Sequence, residues 1–240
     1  MSLLFATIFC LFLSCGHCYF VENRGQIYDY DGVQRNDVRF YHVTNNMTIF
    51  FTNKGVVYYF QDIRPSQMDS IESGMIQNPY THEEWEKIMF DYSNGKRIPV
   101  NVQQDFKGYR VDLEIVGGNL QNCSGLSSST GVLDFYHPNY IDGILGVQDF
   151  EQIKYKEVYE GIDLIFYFKD GILKYDFEVA PFADYKQIKL LYNGIDELVL
   201  DEEGNLFVRT FAGEFLENRP VSFSEDREIN SSFLLSGDTI

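Results

Sequence analysis

Tryptophan occurs once in these 240 residues, histidine four times and cysteine four times. Three of the cysteines, Cys10, Cys15 and Cys18, fall in the first eighteen positions, which leaves Cys123 alone in the rest. A single thiol forms neither an internal disulfide nor a cysteine-rich zinc site, so stability has to come from a packed core. The histidines (His17, His42, His82 and His137) are scattered. HEEWE at His82–Glu86 begins like a zinc-protease helix, but Glu86 stands where the second histidine ligand is required. Gly125-Leu126-Ser127-Ser128-Ser129 lacks the closing glycine of a nucleophile elbow. No phosphate-cradling glycine loop or dinucleotide fingerprint occurs. Basic residues are also few, 19 Lys and Arg against 36 Asp and Glu, for a formal charge of −17. A field of that sign repels phosphate backbones and anionic lipid surfaces, which argues against nucleic acid as a partner.

Long apolar runs are missing too. Leu3–Leu13 matches a signal-peptide core and is too short to span a bilayer as a helix, and the first charged side chain is Glu22. Residues 1–18 therefore read as a signal peptide, cleaved after Gly16 or after Cys18, with small residues (Ser14 or Gly16) three positions before the cut. Lipidation at Cys15 or Cys18 is the lesser reading, because Phe-Leu-Ser-Cys is an imperfect lipobox. The expected protein is exported, with no membrane span once the signal is removed.

What the chain has in quantity is aromatic side chains, 21 Phe and 17 Tyr, within a 45% apolar composition. Flat rings pack well on pleated surfaces, so the expectation is a folded β domain. In DVRFYHVTNNMTIFFTNKGVVYYFQDI, Asp37–Ile63, alternating runs separated by Asn45-Asn46 and Asn53-Lys54-Gly55 predict a three-stranded meander. Val111, Leu113 and Ile115 alternate with Arg110, Asp112 and Glu114. Later turns at Asn193-Gly194, Glu203-Gly204-Asn205 and Ala212-Gly213 recur at about ten-residue intervals, as in sandwiches and barrels. The fold class is accordingly all-β, an antiparallel β-sandwich of hairpins and meanders. One short helix is expected around residues 82–91, where Thr81 and Glu84 form a capping box. Cys123–Gly131, rich in serine, reads as a loop. The expected organisation is a signal at 1–18, a β domain at 19–220, and a linker or start of a following module at 221–240.

The best-specified element is YEGIDLIFYFKDGILKYDFEVAP, Tyr159–Pro181. Asp170-Gly171 suits a two-residue type I′ turn, which pairs Lys169 with Ile172 and, seven steps out, Ile162 with Val179. One face is then Ile162, Leu164, Phe166 and Phe168 against Val179, Phe177, Tyr175 and Leu173. A slip by one residue would destroy that match. The other face sets Asp163 opposite Glu178, with Asp176 beside it. Two carboxylates about 5 Å apart repel by roughly 3 kcal/mol at an effective dielectric of 20, and that spacing also suits a retaining glycosidase. A solvated or ion-paired face is the leading expectation, a contact with a cation such as Ca2+ or with a partner the next, and an acid/base pair the last. Asp29 and Asp31 in YDYDGVQRND, and Asp201 and Glu203 in DEEGN, could also hold Ca2+ through hard oxygens, although neither stretch has EF-hand spacing. No cofactor or catalytic residue is expected beyond these.

Several stretches together resemble a known family: FVENRGQ, DVRFY, FFTNKGVVYYF, YKEVYEGIDLIFYFKDGILKYDFEVAPFADYKQIKL and GNLFVRTFAGEFLENRP. They are similar to uncharacterised N-terminal domains of bacterial secreted or surface proteins, many of them from Bacteroidetes. In those proteins the domain precedes SBBP (β-propeller-type) repeats and PKD-like modules. The resemblance runs from about Phe20 to Pro220 and is most specific at Tyr155–Ile188. It implies a non-catalytic, extracellular structural or interaction module, whose partners are other modules of the same surface protein or extracellular protein or glycan. A carbohydrate-binding module is the alternative expectation, and an acid/base hydrolase using Asp163 and Glu178 the second.

Overall fold

The computed structural model describes residues 3–10, 18–29, 32–44, 47–62, 107–129, 131–137, 140–210, 213–225 and 227–240. Among them the chain is antiparallel β with a single 3-10 turn at Tyr185–Gln187, as the alternation predicts. The helix expected around residues 82–91 lies outside the described residues. The first strands are β1 (Leu3–Cys10), β2 (Phe20–Glu22), β3 (Val38–Val43), β4 (Met47–Thr52), β5 (Gly55–Asp62) and β6 (Lys107–Ile115). The middle of the chain forms β7 (Cys123–Ser128), β8 (Leu133–His137), β9 (Tyr140–Val147), β10 (Asp149–Tyr159), β11 (Ile162–Lys169) and β12 (Ile172–Val179). The last are β13 (Leu190–Asn193), β14 (Glu197–Leu200), β15 (Leu206–Thr210), β16 (Gly213–Glu217), β17 (Val221–Ser224) and β18 (Arg227–Ile229). The chain divides into two compact units, residues 1–60 with 110–240, and residues 61–109. Of the second unit, the described residues are the end of β5 and the start of β6.

Hydrogen bonding in the first unit is nearly continuous. One ladder runs β13-β6-β5-β4-β3-β2-β10-β11-β12-β1-β16-β15-β14, with β17 joined to β1 and to β18, and β7 to β10; among the described residues β8 and β9 pair only with each other. The predicted β3–β4–β5 meander forms, with His42 opposite Ile49 and Phe50 opposite Val57. In β6, Val111, Leu113 and Ile115 are buried while Arg110 and Glu114 are exposed, which is the pleat acting on a period-two sequence.

The β11–β12 hairpin adopts the predicted register from Lys169↔Ile172 to Ile162↔Val179. Its turn residues Asp170 and Gly171 have φ of 54° and 75°, as a type I′ turn needs. Ile162, Leu164, Phe166, Leu173, Tyr175, Phe177 and Val179 are all buried. Each such side chain stabilises the fold by about 2 kcal/mol. Phe166 is the hub of an aromatic cluster, its ring centroid 5.0 Å from Phe51, 5.8 Å from Tyr175 and 6.2 Å from Tyr155.

Two stretches differ from expectation. Cys123–Ser128 is not a loop but β7, laid along β10 from Ser128↔Phe150 to Cys123↔Tyr155. Small residues at these positions serve close packing: a Cβ on Gly125 would sit 2.3 Å from the Phe150 ring. Residues 221–240, expected as a linker or the start of another module, form β17, β18 and a tail bonded to β13. In that tail, Leu190 and Ile240 exchange two backbone hydrogen bonds of 2.8 Å each.

Gly125 therefore yields a direct check. The Phe150 ring is held edge-on against Phe40 at 5.7 Å and has little room to retreat. Gly125→Ala is expected to cost roughly 1–3 kcal/mol by overpacking, read as a lower denaturant midpoint at unchanged slope. Gly125→Ala with Phe150→Leu should recover part of the loss. An alanine variant as stable as the parent would show that the ring yields freely.

Candidate functional site

Asp163 and Glu178 stand opposite each other on the outer side of the hairpin, as the register requires. The neighbouring strand β10 adds what the hairpin alone could not reveal. Lys154 lies opposite Ile165, and its long stem reaches diagonally to both acids. Its Nζ donates to Asp163 Oδ2 at 2.7 Å and to Glu178 Oε2 at 2.6 Å. The Lys154 side chain is 17% exposed and that of Asp163 25%, against 42% for Glu178, so the Lys154–Asp163 contact is the less screened of the two.

Asp163 has a second task. Between Tyr155↔Leu164 and Tyr159↔Ile162, three residues of β10 face only Asp163, which makes a bulge with Glu157 at φ 52°. The Glu157 backbone N–H donates to Asp163 Oδ1 at 2.7 Å. Burial pushes the Asp163 carboxyl up, but Lys154 and that N–H outweigh it and hold it below the ordinary aspartate value. Burial likewise lowers Lys154, while the two acids outweigh it and hold the ammonium above the usual lysine value. A general acid needs the opposite shift. Asp176 has it: burial raises its carboxyl to about 6, against the pull of the Tyr167 hydroxyl.

The other sequence candidates serve turns. Asp201 Oδ1 accepts the backbone N–H groups of Glu203 (2.9 Å) and Asn205 (2.8 Å), and Oδ2 accepts Asn205 Nδ2 at 2.8 Å. These bonds, led by that of the Asn205 side chain, hold Asp201 below its usual value. Glu203 sits in the same turn, 3.5 Å from Asn205 Nδ2. Asp29 Oδ1 accepts the Val33 N–H at 2.8 Å. Asp31 lies outside the described residues. The structure thus brings Asp163, Glu178 and Asp176 together on one face, while Asp29 and Asp201 with Glu203 each hold a separate loop. Burial pushes the Cys123 thiol up to about 12, which disfavours the reactive thiolate.

Two grooves indent the first unit. One, of about 310 Å3, is lined by Gln26, Ile27, Tyr28, Tyr41, Val43, Thr48 and Phe50. The other, of about 470 Å3, is polar, with Asp37, Lys54, Arg110, Asp112 and Glu114 in its wall. Neither is lined by Asp163, Asp176 or Glu178.

Sequence reasoning missed a carboxyl in the core. Glu217 on β16 is fully buried, and its Oε2 accepts the Tyr175 hydroxyl at 3.0 Å while Oε1 accepts that of Tyr192. Burial raises it to about 7, against the pull of the two phenols. The available signal was parity: Glu217 pairs with Leu206 and Phe215 with Val208, so the glutamate occupies an inward position.

Residues 20–240 match the family described as Domain of unknown function (DUF7948), and the chain belongs to that family. No curated protein and no solved structure matches it.

Glu217 carries a pH signature. Its folded value of about 7 lies above the 4.5 of a free glutamate, so the fold binds the proton more tightly than the unfolded chain. Its contribution is therefore complete below about pH 4.5 and is lost as pH rises through 7, a change of about 3 kcal/mol. Denaturant midpoints taken from pH 5 to 8 should fall for the parent and fall much less for Glu217→Gln. Parallel profiles would remove Glu217 as the cause.

Proposed function

We propose that this DUF7948 chain is a non-catalytic extracellular module, exported by a bacterium, with a structural or interaction role in a secreted or cell-surface protein. Its partners are then other modules of that protein, or extracellular protein or glycan. The leader-like character of residues 1–18, the acidic balance and the resemblance to SBBP-associated domains support this reading. Among the described residues no helix is long and apolar enough to cross a membrane.

The observation that carries the proposal is the Lys154 contact. Facing carboxylates could have signalled hydrolysis or a cation, yet each already bonds one ammonium at 2.6–2.7 Å, and Asp163 also fixes a strand bulge. A hydrolase acid would need a raised proton affinity inside a cleft. Ca2+ would have to displace Lys154.

Thermal unfolding tests this directly. Millimolar Ca2+ or EDTA should leave the melting temperature of the parent unchanged. Lys154→Met should cost roughly 1–2 kcal/mol by leaving the two acids facing each other unneutralised, and adding Asp163→Asn and Glu178→Gln should restore much of it. A Ca2+-dependent rise that Asp163→Asn/Glu178→Gln abolishes would make the pair a cation site and sink the structural reading.

A second reading, carbohydrate binding, is favoured by the smaller groove. Half-buried Tyr28 and Phe50 line it with the exposed Val43, over the buried Tyr41, Gln26 and Thr48. Sugar rings stack on aromatic faces. Glycan-array binding that Phe50→Leu removes, at an unchanged melting temperature, is the expected outcome on this reading; an array without hits discards it.

A further inference from the structure

The apolar segment Leu3–Cys10, read from sequence as a leader core, is a strand inside the sheet. On one edge it pairs with β12 over six residues, from Leu3↔Val179 to Ile8↔Lys174. On the other it pairs with β17 from Leu3↔Ser224 to Ala6↔Val221, then with β16 through Phe9↔Glu217 and Cys10↔Leu216. Among the described residues β1 is the sole strand that pairs β12 with β16 and β17, and a side-chain bond from the Tyr175 hydroxyl to Glu217 also joins β12 to β16. The family match begins at residue 20, so the family's own unit contains both walls of this slot and not the strand that fills it.

We propose that β12 on one side and β17 with β16 on the other form a strand-acceptor groove that Leu3–Cys10 occupies until the leader is removed, and that then takes an apolar strand from a separate polypeptide. The occupant's chemistry follows from the walls. It runs antiparallel to both and spans about eight residues to match β12. It is uncharged at the alternate positions that meet Val179, Phe177 and Tyr175, which are buried, so that a charge there would go unpaired. The positions between them face Glu178, Asp176 and Lys174. It is not acidic beyond the groove either, since the chain itself carries a formal −17. Ladder hydrogen bonds supply affinity and alternate side chains supply selectivity, the mode by which sheets accept added strands. An open slot with two unpaired edges is also a hazard for uncontrolled pairing, which a resident leader strand suppresses. The proposal rests on the export reading, because an uncut leader keeps the groove closed.

The test uses the full chain with a specific-protease site placed within residues 11–17, folded first and then cut. The probe is a synthetic peptide of residues 3–10 flanked by lysines and carrying a fluorophore, alongside its Ala6→Pro form. The cut chain should take up the probe one-to-one, while the uncut chain takes up little because its own strand is held at high local concentration. Ala6 faces both Asp176 and Val221, so proline there breaks the ladder in mid-strand and should weaken uptake roughly tenfold or more. Amides of Tyr175 and Phe177 should exchange faster in the emptied groove than in the filled one. Three results would overturn the proposal: no uptake after residues 3–10 have left, equal uptake of the proline peptide, or exchange rates on β12 indifferent to occupancy. The mass of the exported protein tests the premise separately. Residues 3–10 retained there would overturn the export reading and with it the exchange, even where the cut chain accepts the probe.

Discussion

The β11–β12 hairpin sets the terms for the rest of this domain. Its two-residue turn allows one register, and that register puts an almost wholly apolar face inward and a charged face outward. Everything nearby then has to match it. The inner rings of Phe166 and Tyr175 meet Phe51 of β4, Tyr155 of β10 and Phe177 of β12 itself. The outer acids require a cation, and β10 delivers Lys154. One local turn preference thereby determines which side chains the neighbouring strands must present.

Polar groups inside the sheet follow the same demand for partners. Tyr155 donates its hydroxyl to the Thr52 carbonyl at 3.0 Å, and Tyr159 donates to that of Val116 at 2.9 Å. Tyr175 and Tyr192 converge on Glu217. Burying a tyrosine ring costs least where its hydroxyl finds an acceptor, and a buried carboxyl serves two at once. Glu217 is thus part of the logic of a phenol-rich core, at the expense of a charge that burial disfavours.

How much of this was legible depends on the sequence distance between partners. The hairpin could be read in full because its strands are two residues apart and share one turn. Lys154 could not be assigned to Asp163 and Glu178, because the β10–β11 pairing includes a bulge at Glu157 that shifts any register counted inward from the turn. Cys123–Ser128 looked like a loop because serine and glycine are poor strand formers in isolation; the Phe150 ring lying on Gly125 reverses that preference. Leu3–Cys10 was ambiguous in principle, since an uncharged apolar run is the signature both of a leader core and of a strand buried on both faces. Glu217 was hidden in an exposed-looking stretch, Glu214–Pro220, where only the parity of Phe215 and Val208 marked it as inward.

The scarcity of basic residues gives the electrostatics a common pattern. Arg209 on β15 stands between Glu197 of β14 and Glu214 of β16, at 2.9 and 2.8 Å, just as Lys154 serves Asp163 and Glu178. Arg35 with Asp37 in the turn before β3, and Arg110 with Asp112 on β6, bridge residues two apart. Arg209 and its partners are about half exposed, so that bridge contributes little beyond setting register. Lys154 is more enclosed and its acids face each other directly, so its loss would be felt. With 19 bases against 36 acids, a base that serves two carboxylates neutralises the pairs that strand pairing forces together, while the remaining acids are left to give the domain its negative field. That division lets a strongly acidic surface coexist with a sheet whose strands bring like charges within a few ångströms.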